Sequence, residues 1–549
     1  MTKPAFLAVV ALLGLPACME EAAVKIVAPA AGATLAGGKA VTVRVESDAD
    51  EVVIGGKAVS GSGTFSAAAP AADGLGFVTA EIPGDELIAV RSWHQGTLRD
   101  PAGWHRDNLT ITLGQRALST GAVSVASVIA ELLQGEELAP FIKNPLTVNI
   151  VLVPATINVK SVRAPKVVVA IKHDAKGLHF LALLSNVKVQ YTASAVAVFS
   201  SSGIATYKEI QVTGDVSLAP GKVVLSRVST KASAPTIQDT GGLPVGGVQA
   251  LTGLFNVDVT KAIADAAARA AQSVFLHLLR EIRPTVGLAF SRPITQDTAL
   301  DKVALKAPTI ELLYKLRIRA AKPSVARADQ KVLHRSFSPS APPASGGVGA
   351  HCGGGMVNQF GFAVWDAGNL QQIAFTRSQL EQAGMESLSF PYSQLNRATI
   401  GLLLPPLLEW GADGPRLDIG GVQADIEISG AEDVKAWTAA SVPVKLVKVA
   451  GKKASGLRLQ QDKTRKVTMR KVGFDRMSDL ADQQEVLRIL QTAVPGVVNT
   501  VFGGLPTVEI PTLQMKRLDG KPGPILAPAL RTVRVKKDHW QLELELQKK

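Results

Sequence analysis

The chain has 549 residues, of which 46% are hydrophobic and only 5% aromatic, and its formal net charge is +13. This length is enough for two or three buried cores, and beyond the N-terminus no apolar stretch is long enough to span a membrane without charges or breakers. If the chain is exported, its basic charge favours anionic lipid headgroups over nucleic acid as a partner. A generally basic, solvated surface explains any single lysine equally well.

The N-terminus has the pattern of a secretory signal. Lys3 precedes an apolar segment, and residues 1–17 end in Leu15-Pro16-Ala17 before Cys18. The segment is too short for a permanent membrane helix, so we expect it to be removed. The run that ends at Cys18 resembles the lipobox of bacterial lipoproteins, which implies that Cys18 is lipidated; an ordinary secretory signal with a chance cysteine is the alternative.

A lipidated Cys18 predicts a protein of the cell envelope, held at the membrane by residues 18–21 as a tether. Because Met19 follows in place of an inner-membrane retention aspartate, we expect the outer membrane, facing the periplasm, with surface exposure left open. Cys352 is the second of two cysteines in the chain. If Cys18 carries lipid, no intramolecular disulfide can form.

Residues 22–113 contain short alternating apolar runs separated by Gly, Pro and Ser clusters, as in 29–32 and 60–63. This spacing predicts a small antiparallel β-sandwich. The opening at 26–35 is similar to bacterial immunoglobulin-like modules, and the resemblance implies a spacer that holds a larger domain off the membrane.

The pattern over residues 114–322 predicts a second unit, in which an early helix is followed by long strands of alternating apolar and polar residues. A long helix follows from about Val259 to Ile282, because its apolar residues recur at steps of three and four. Asp258 is the predicted N-cap, and Pro284 follows the predicted end. Strands then return at 309–318.

Residues 323–355 are rich in proline and glycine and predict a linker. Residues 356–549 then repeat the order of the second unit. Helix-like material comes first, then alternating strands, then an amphipathic helix over about 483–502 with Pro495 inside it. The repetition predicts a duplicated architecture.

Three segments of this last unit resemble the bactericidal/permeability-increasing protein family. Residues 358–370 are similar to an aromatic-rich strand that runs into Ala-Gly, residues 404–408 to a proline-containing helix, and residues 505–511 to the closing Leu-Pro pattern. The resemblance implies an α+β fold. It has two tandem tubular lipid-binding barrels, each a curved antiparallel sheet wrapped on a long helix, in a pseudo-dimeric elongated arrangement. The small all-β immunoglobulin-like domain precedes them.

In such a fold an apolar slot between helix and sheet takes acyl chains, so the implied partner is phospholipid or lipopolysaccharide, for lipid transport or sensing. The candidate slot residues are apolar: Ile263, Ala267, Ala271, Val274, Phe275 and Leu278 on the first long helix, Phe362 and Trp365 on the aromatic strand, and Leu490, Val494 and Val498 on the second helix. Any one of them could equally be packed core. The alternative function is a scaffold module without lipid cargo, with slots blocked by Phe275 and Leu279 and a surface that binds an envelope protein.

The sequence offers no catalytic motif. It has neither a G-x-S-x-G elbow nor an H-E-x-x-H pair, so we expect no enzyme, no metal and no cofactor. His173, Asp174 and His179 are placed on a solvated hairpin turn. His351 and Cys352 are placed in an exposed linker, which could not preorganise a thiol nucleophile.

Overall fold

The structure is a computed structural model. It describes residues 24–84, 88–115, 144–150, 153–195, 199–239, 241, 246–281, 292–306, 309–322, 330–337, 347–385, 387–389, 391–431, 433–450, 455–474, 483–503, 513–516 and 522–548. The predicted signal peptide, Cys18, the early helix after Gln115 and the closing segment 505–511 lie outside these residues. Within the described part of the chain, no helix combines the length and the apolarity needed to cross a membrane.

The first unit consists of two small sheets that share one core. Its strands are β1 (Val24–Ala28), β2 (Thr34–Ala36), β3 (Val41–Ser47), β4 (Glu51–Ile54), β5 (Lys57–Ser60), β6 (Gly63–Ala69), β7 (Gly74–Glu81), β8 (Ile88–Gly96) and β9 (Leu98–Arg99). One sheet has the order β1-β3-β6 and the other β2-β8-β7-β4-β5. In β3 every second residue is buried, so Val43 and Val45 meet Phe65 and Trp93 in the core. The immunoglobulin-like character of this unit stays a prediction.

The N-terminal half follows. Its elements are β10 (His105–Leu113), β11 (Leu146–Ile150), β12 (Val153–Arg163), β13 (Lys166–Asp174), β14 (Gly177–Ala195), β15 (Phe199–Ala219), β16 (Lys222–Ala232), β17 (Thr236–Asp239), helix α1 (Gly247–Leu254), a π-helical turn (Phe255–Val259), helix α2 (Thr260–Glu281), β18 (Ile294–Lys306) and β19 (Thr309–Ala320). The sheet β11-β12-β14-β15-β16 is curled. Its long strand β14 pairs with β13 along one part and with β12 along the other. Asn186, with φ of 55°, lies between these two parts and interrupts the regular strand.

The C-terminal half has the same order of elements. They are β20 (Val332–Leu333), β21 (Val348–Gly353), helix α3 (Gly354–Asp366), β22 (Ile373–Thr376), helix α4 (Arg377–Gln382), a 3₁₀ turn (Tyr392–Gln394), β23 (Leu395–Leu402), β24 (Leu407–Gly411), β25 (Gly414–Ile428), β26 (Val434–Ala450), β27 (Ser455–Gln461), β28 (Thr468–Met469), β29 (Gly473–Phe474), helix α5 (Gln483–Gly503), β30 (Leu513–Lys516), β31 (Pro522–Val535) and β32 (His539–Lys548). The second curled sheet has the order β22-β23-β25-β26-β27.

A central sheet of order β18-β19-β10-β21-β32-β31-β30 joins the halves. Each half contributes a first strand (β10 or β21) and a late hairpin (β18–β19 or β31–β32) that returns beside it. The two first strands pair antiparallel, with Ile111 opposite Ala350. Apart from β30 at one edge, this order is symmetric about the β10–β21 pair, which is consistent with the predicted duplication.

The central sheet changes two of the predicted assignments. The strand ending at Leu113 was expected in the first sandwich, and residues 347–353 in a linker. Both are central strands, because Leu109, Ile111 and Ala350 face the main apolar core. The alternation within 105–113 shows a half-buried strand but does not indicate which sheet it joins.

Several helix boundaries also differ from expectation. The first long helix begins at Gly247, so Asp258 lies within the π-helical turn and is not an N-cap. Residues 358–365 are helical, not an aromatic-rich strand, because α3 is buried on nearly all sides and shows no periodicity to distinguish the two. Residues 404–408 lead into β24 and form no helix. Helix α5 runs through Pro495 and matches the predicted bounds closely.

The first unit packs directly on the C-terminal half, in contrast to the implied spacer role. A Cβ added to Gly473 would lie 2.3 Å from the carbonyl oxygen of Ile88, so the two backbones are in contact. Lys471 forms a 2.7 Å ion pair with Glu81. Arg335 bridges the units, since its guanidinium lies 2.6 Å from Asp73 and 2.6 Å from Glu409.

Candidate functional site

Helix α2 packs against β15, β16 and β30, and the inner face of α2 is fully buried. Ile263, Ala267 and Ala271 are each 0% exposed, so no water molecule could touch these side chains. The structure therefore places three of the candidate slot residues in closed core. The side chains of Val274 and Leu278 lie outside the described part of the chain.

The rim of this core is different, because several apolar side chains there are only half-buried. They lie on α2 and on β16, which is the edge strand of the curled sheet, and we call them the seam: Leu225, Val228, Ala262, Phe275 and Leu276. Gln272 Nε2 donates a 2.6 Å hydrogen bond to the carbonyl oxygen of Val223, which links helix and edge strand directly. Of the predicted slot residues, Phe275 belongs to the seam.

The π-helical turn sets the position at which α2 starts along the sheet. The hydroxyl of Tyr207 on β15 donates to the carbonyl oxygen of Phe255 at 2.7 Å, and the Phe255 ring lies 5.1 Å from that of Tyr191. Burial raises the pKa of Tyr207, so its hydroxyl keeps its proton and remains a donor. Single π turns inside helices occur frequently at functional sites.

In the C-terminal half, half-buried Ile373 and Phe375 on the edge strand β22 and Leu487 on α5 also border the core. A Cβ on Gly496 would lie 2.8 Å from Cε1 of Phe375, so this aromatic ring rests directly on the helix beside Pro495. Leu490, Val494 and Val498 are at most 1% exposed. At Gly496 the boundary between α5 and the sheet is therefore covered by an aromatic side chain.

Phe362 and Trp365 lie on α3 and belong to the same core as the three α5 residues. The indole nitrogen of Trp365 donates to the carbonyl oxygen of Leu402 at 2.7 Å, which fixes α3 on β23. The candidate residues thus form two groups in two cores. Half-buried Met356, at the start of α3, packs against both.

A row of buried polar side chains includes His351, for which the sequence predicts an exposed linker. Nε2 of His351 lies 3.2 Å from the hydroxyl of Thr112, and its Nδ1 lies 3.2 Å from Nε2 of His539. Nδ1 of His539 in turn lies 2.6 Å from the carboxylate of Asp538. No sequence signal indicates these hydrogen-bonded side chains, since they lie on β10, β21, β32 and the turn before β32.

Burial also determines the chemistry of Cys352. It raises the pKa of the Cys352 thiol to about 12, so the thiol is unreactive at neutral pH. The neighbouring His351 is not a base for it, because strand neighbours point to opposite faces of the sheet.

His179 lies on the predicted hairpin, with Asp215 2.8 Å from its Nδ1 and Asp174 3.2 Å from its Nε2, whereas His173, predicted to be solvated, is buried. Within the described residues, no group of three or more His, Cys, Asp or Glu side chains is arranged to hold a metal ion.

Comparison with known proteins gives distant likenesses only. No family model and no curated protein matches the chain. Among solved structures, it is similar to a lipopolysaccharide binding protein, at 12% identity over 81% of this chain and 99% of that one, with a TM-score of 0.42. Two P47 proteins from Clostridium botulinum, of types E1 and A2, are each 8% identical. They cover 81% and 82% of this chain and 100% and 98% of their own, with TM-scores of 0.22 and 0.27.

At such TM-scores these superpositions carry no argument about function. The fold is defined by the strand pairing within the chain. Membership of the bactericidal/permeability-increasing protein family stays a prediction.

Proposed function

We propose that this chain is an envelope lipoprotein that binds the acyl chains of phospholipid or lipopolysaccharide at the seam of its N-terminal half. The observation that carries the proposal is the half-buried apolar rim between α2 and the edge strand β16. Apolar side chains left half-exposed along a helix–sheet boundary are completed by an apolar ligand that covers them.

The energetics favour access at this boundary over access between paired strands of the curled sheet. Paired strands are joined by ladders of backbone hydrogen bonds, whereas β16 faces α2 through side chains and the Gln272–Val223 bond. Breaking that bond costs about 1 kcal/mol, while each buried methylene contributes about 0.8 kcal/mol. Two inserted methylenes therefore offset the loss of this bond.

The lipid would enter along the seam and spread α2 away from β16, since the inner face of α2 is already packed. The fully buried Ala267 and Ala271 would then mark the floor of the site. Loss of contacts between α2 and β16 opposes this movement, and the length of acyl chain inserted must exceed that cost. This favours lipids with long chains over short-chain detergents.

The second candidate function is a scaffold module without lipid cargo. It is favoured by the closed core of the C-terminal half, where Phe375 rests on Gly496, and by the close packing of the first unit on that half. We therefore assign the lipid site to the N-terminal half alone, and the C-terminal half to structural support of the first unit.

The test is to bridge the seam. In the mature chain, residues 19–549, Leu225→Cys and Gln272→Cys would be joined by a short bis-maleimide, and uptake of a fluorescent phospholipid would be measured. Cys352 does not interfere, because its buried thiol is unreactive. We expect the bridged protein to lose uptake, and the same double variant capped with N-ethylmaleimide to retain it.

If the bridged and capped proteins take up lipid equally, the seam is not the route of access. If neither they nor the unsubstituted chain take up lipid, and native mass spectrometry finds none co-purified, the scaffold function replaces the lipid-binding one.

A further inference from the structure

The hairpin β18–β19 presents one face to the core and one to the outside. On β19 the residues Leu312, Tyr314 and Leu316 are buried, while the intervening residues point outward. Trp104 lies on this outer face and is 38% exposed, which is unusual for the largest apolar side chain. Lys315 Nζ lies 5.2 Å from the centre of its ring, and Arg317 Cζ lies 4.9 Å from it.

The surroundings of Trp104 carry an excess of positive charge. The described cations of this face are Arg106, Lys302, Lys306, Lys315, Arg317 and Arg319, and its carboxylates among the described side chains are Asp297, Asp301 and Glu311. We call this set, with Trp104, the Trp104 face. Its formal charge is six positive against three negative, a net +3.

Asp297 and Asp301 are each shared between two cations and Glu311 pairs with Lys306, so the three carboxylates leave the excess charge in place. Asp301 faces Arg106 at 3.4 Å and Lys315 at 3.9 Å. Asp297 faces Arg317 at 2.6 Å and Arg319 at 3.9 Å. The outer cations are open to solvent, with the side chains of Arg106 and Arg319 64% and 49% exposed.

We propose that the Trp104 face docks on the surface of an anionic phospholipid bilayer. Charge complementarity selects this partner, since a net positive sheet face attracts phosphate-rich headgroups. An exposed tryptophan at its centre suits the headgroup level, where the ring is partly apolar and its nitrogen remains hydrated. The cation–π contacts with Lys315 and Arg317 hold the ring on this face of the sheet.

This surface is distinct from the seam, because it lies on the central sheet and the seam on α2 and β16. Docking therefore does not require bound cargo, and the two proposals fail separately. Fluorescent lipid uptake reports on the seam, and partition to vesicles reports on the Trp104 face.

The test measures co-sedimentation of the mature chain, residues 19–549, with vesicles of phosphatidylcholine alone or mixed in equal parts with phosphatidylglycerol. We expect binding to the anionic vesicles only, and weaker binding at high salt. The double variant Lys302→Gln with Arg319→Gln should lower the partition coefficient about 25-fold, because each cation removed should lower it about fivefold. Trp104→Phe should remove the quenching of tryptophan fluorescence that brominated phosphatidylglycerol causes in the unsubstituted chain.

The matched control is Lys39→Gln with Lys57→Gln, which removes the same charge from exposed positions of the first unit. It should bind nearly as the unsubstituted chain does. The proposal is overturned if the Lys302/Arg319 variant keeps full binding, if both double variants lose it equally, or if the chain binds neutral and anionic vesicles alike. Binding to an acidic protein or polysaccharide, with none to vesicles, would also overturn it.

Discussion

The central sheet and its junction with the first unit should be sensitive to acid, because buried histidines there have strongly lowered pKa values. Burial lowers the pKa of His94, His334 and His351 from 6.5 to about 4 in each case. Nearby positive groups add to the effect, among them Arg335 at His94 and His334. All three residues are at most 6% exposed, so solvent screens these effects little.

The direction follows from proton binding. Between about pH 6.5 and 4 the unfolded chain protonates these histidines and the folded chain does not, so acid favours unfolding. Above pH 6.5 both states are neutral and the free energy of unfolding is unaffected by them. At pH 5 each histidine should reduce it by about 2 kcal/mol, and the three together by about 6 kcal/mol, as an upper bound.

His334→Leu tests this reasoning most cleanly. Among the described residues neither ring nitrogen of His334 has a hydrogen-bond partner, so the change removes a titrating group without breaking a bond. We expect the loss of unfolding free energy between pH 7 and 5, measured by urea denaturation, to shrink by about 2 kcal/mol.

Phe337→Leu is the control, because it alters a buried side chain of the same segment without changing a charge. It should shift stability equally at both pH values. An unchanged pH dependence in His334→Leu, or a chain that gains stability on acidification, would refute the explanation.

Three further predictions concern packing and the anchor. Gly473→Ala should lower the free energy of unfolding in urea by about 1–3 kcal/mol, because the added Cβ meets the Ile88 carbonyl. Gly253→Ala, where the added Cβ enters open space, should raise it by about 0.5–1 kcal/mol. Equal effects of the two changes would contradict the close contact at Gly473. Ala267→Trp should overpack the core and lower the melting temperature, while Ala262→Trp at the seam should lower lipid uptake with a near-normal melting temperature. The opposite result would contradict the assignment of Ala267 to the packed floor and of Ala262 to the rim. Cys18→Ser should abolish labelling by radioactive palmitate, and continued labelling would refute lipidation.

The long elements could be predicted from the sequence because their apolar spacing is a local property. Val259, Ile263 and Ala267 repeat at steps of four, and this indicates the buried face of α2 before any tertiary contact is known. The same holds for α5, where the pattern continues through Pro495. The alternation of buried and exposed residues along β14 and β25 is an equally local property.

The central sheet could not be predicted in this way. β10 and β21 lie far apart along the chain, and no periodicity in either strand indicates that Leu109 pairs with Cys352. Glycine-rich residues 347–353 are typical of a linker, yet here the small side chains let buried strands and rings approach, as where Phe337 lies against Gly353.

The candidate site was only partly accessible to sequence reasoning. Helical spacing identified the inner face of α2, but it does not distinguish a packed floor such as Ala271 from a rim such as Phe275. Whether a side chain of α2 belongs to the floor or to the rim depends on where the edge strand β16 ends and on whether that side chain faces the strand. The Trp104 face was missed for a related reason, since its cations come from β18, β19 and β10 and form no run in the sequence.

The most direct measurement of lipid binding at the seam uses a phospholipid that carries a photoreactive diazirine on its acyl chain. After irradiation with the mature chain, the labelled peptides would be identified by mass spectrometry. The proposal predicts labels on β16 and α2 around Leu225 and Phe275, and none on α5 around Val494. Labels confined to the C-terminal half, or no labelling above that of an unrelated protein, would contradict it.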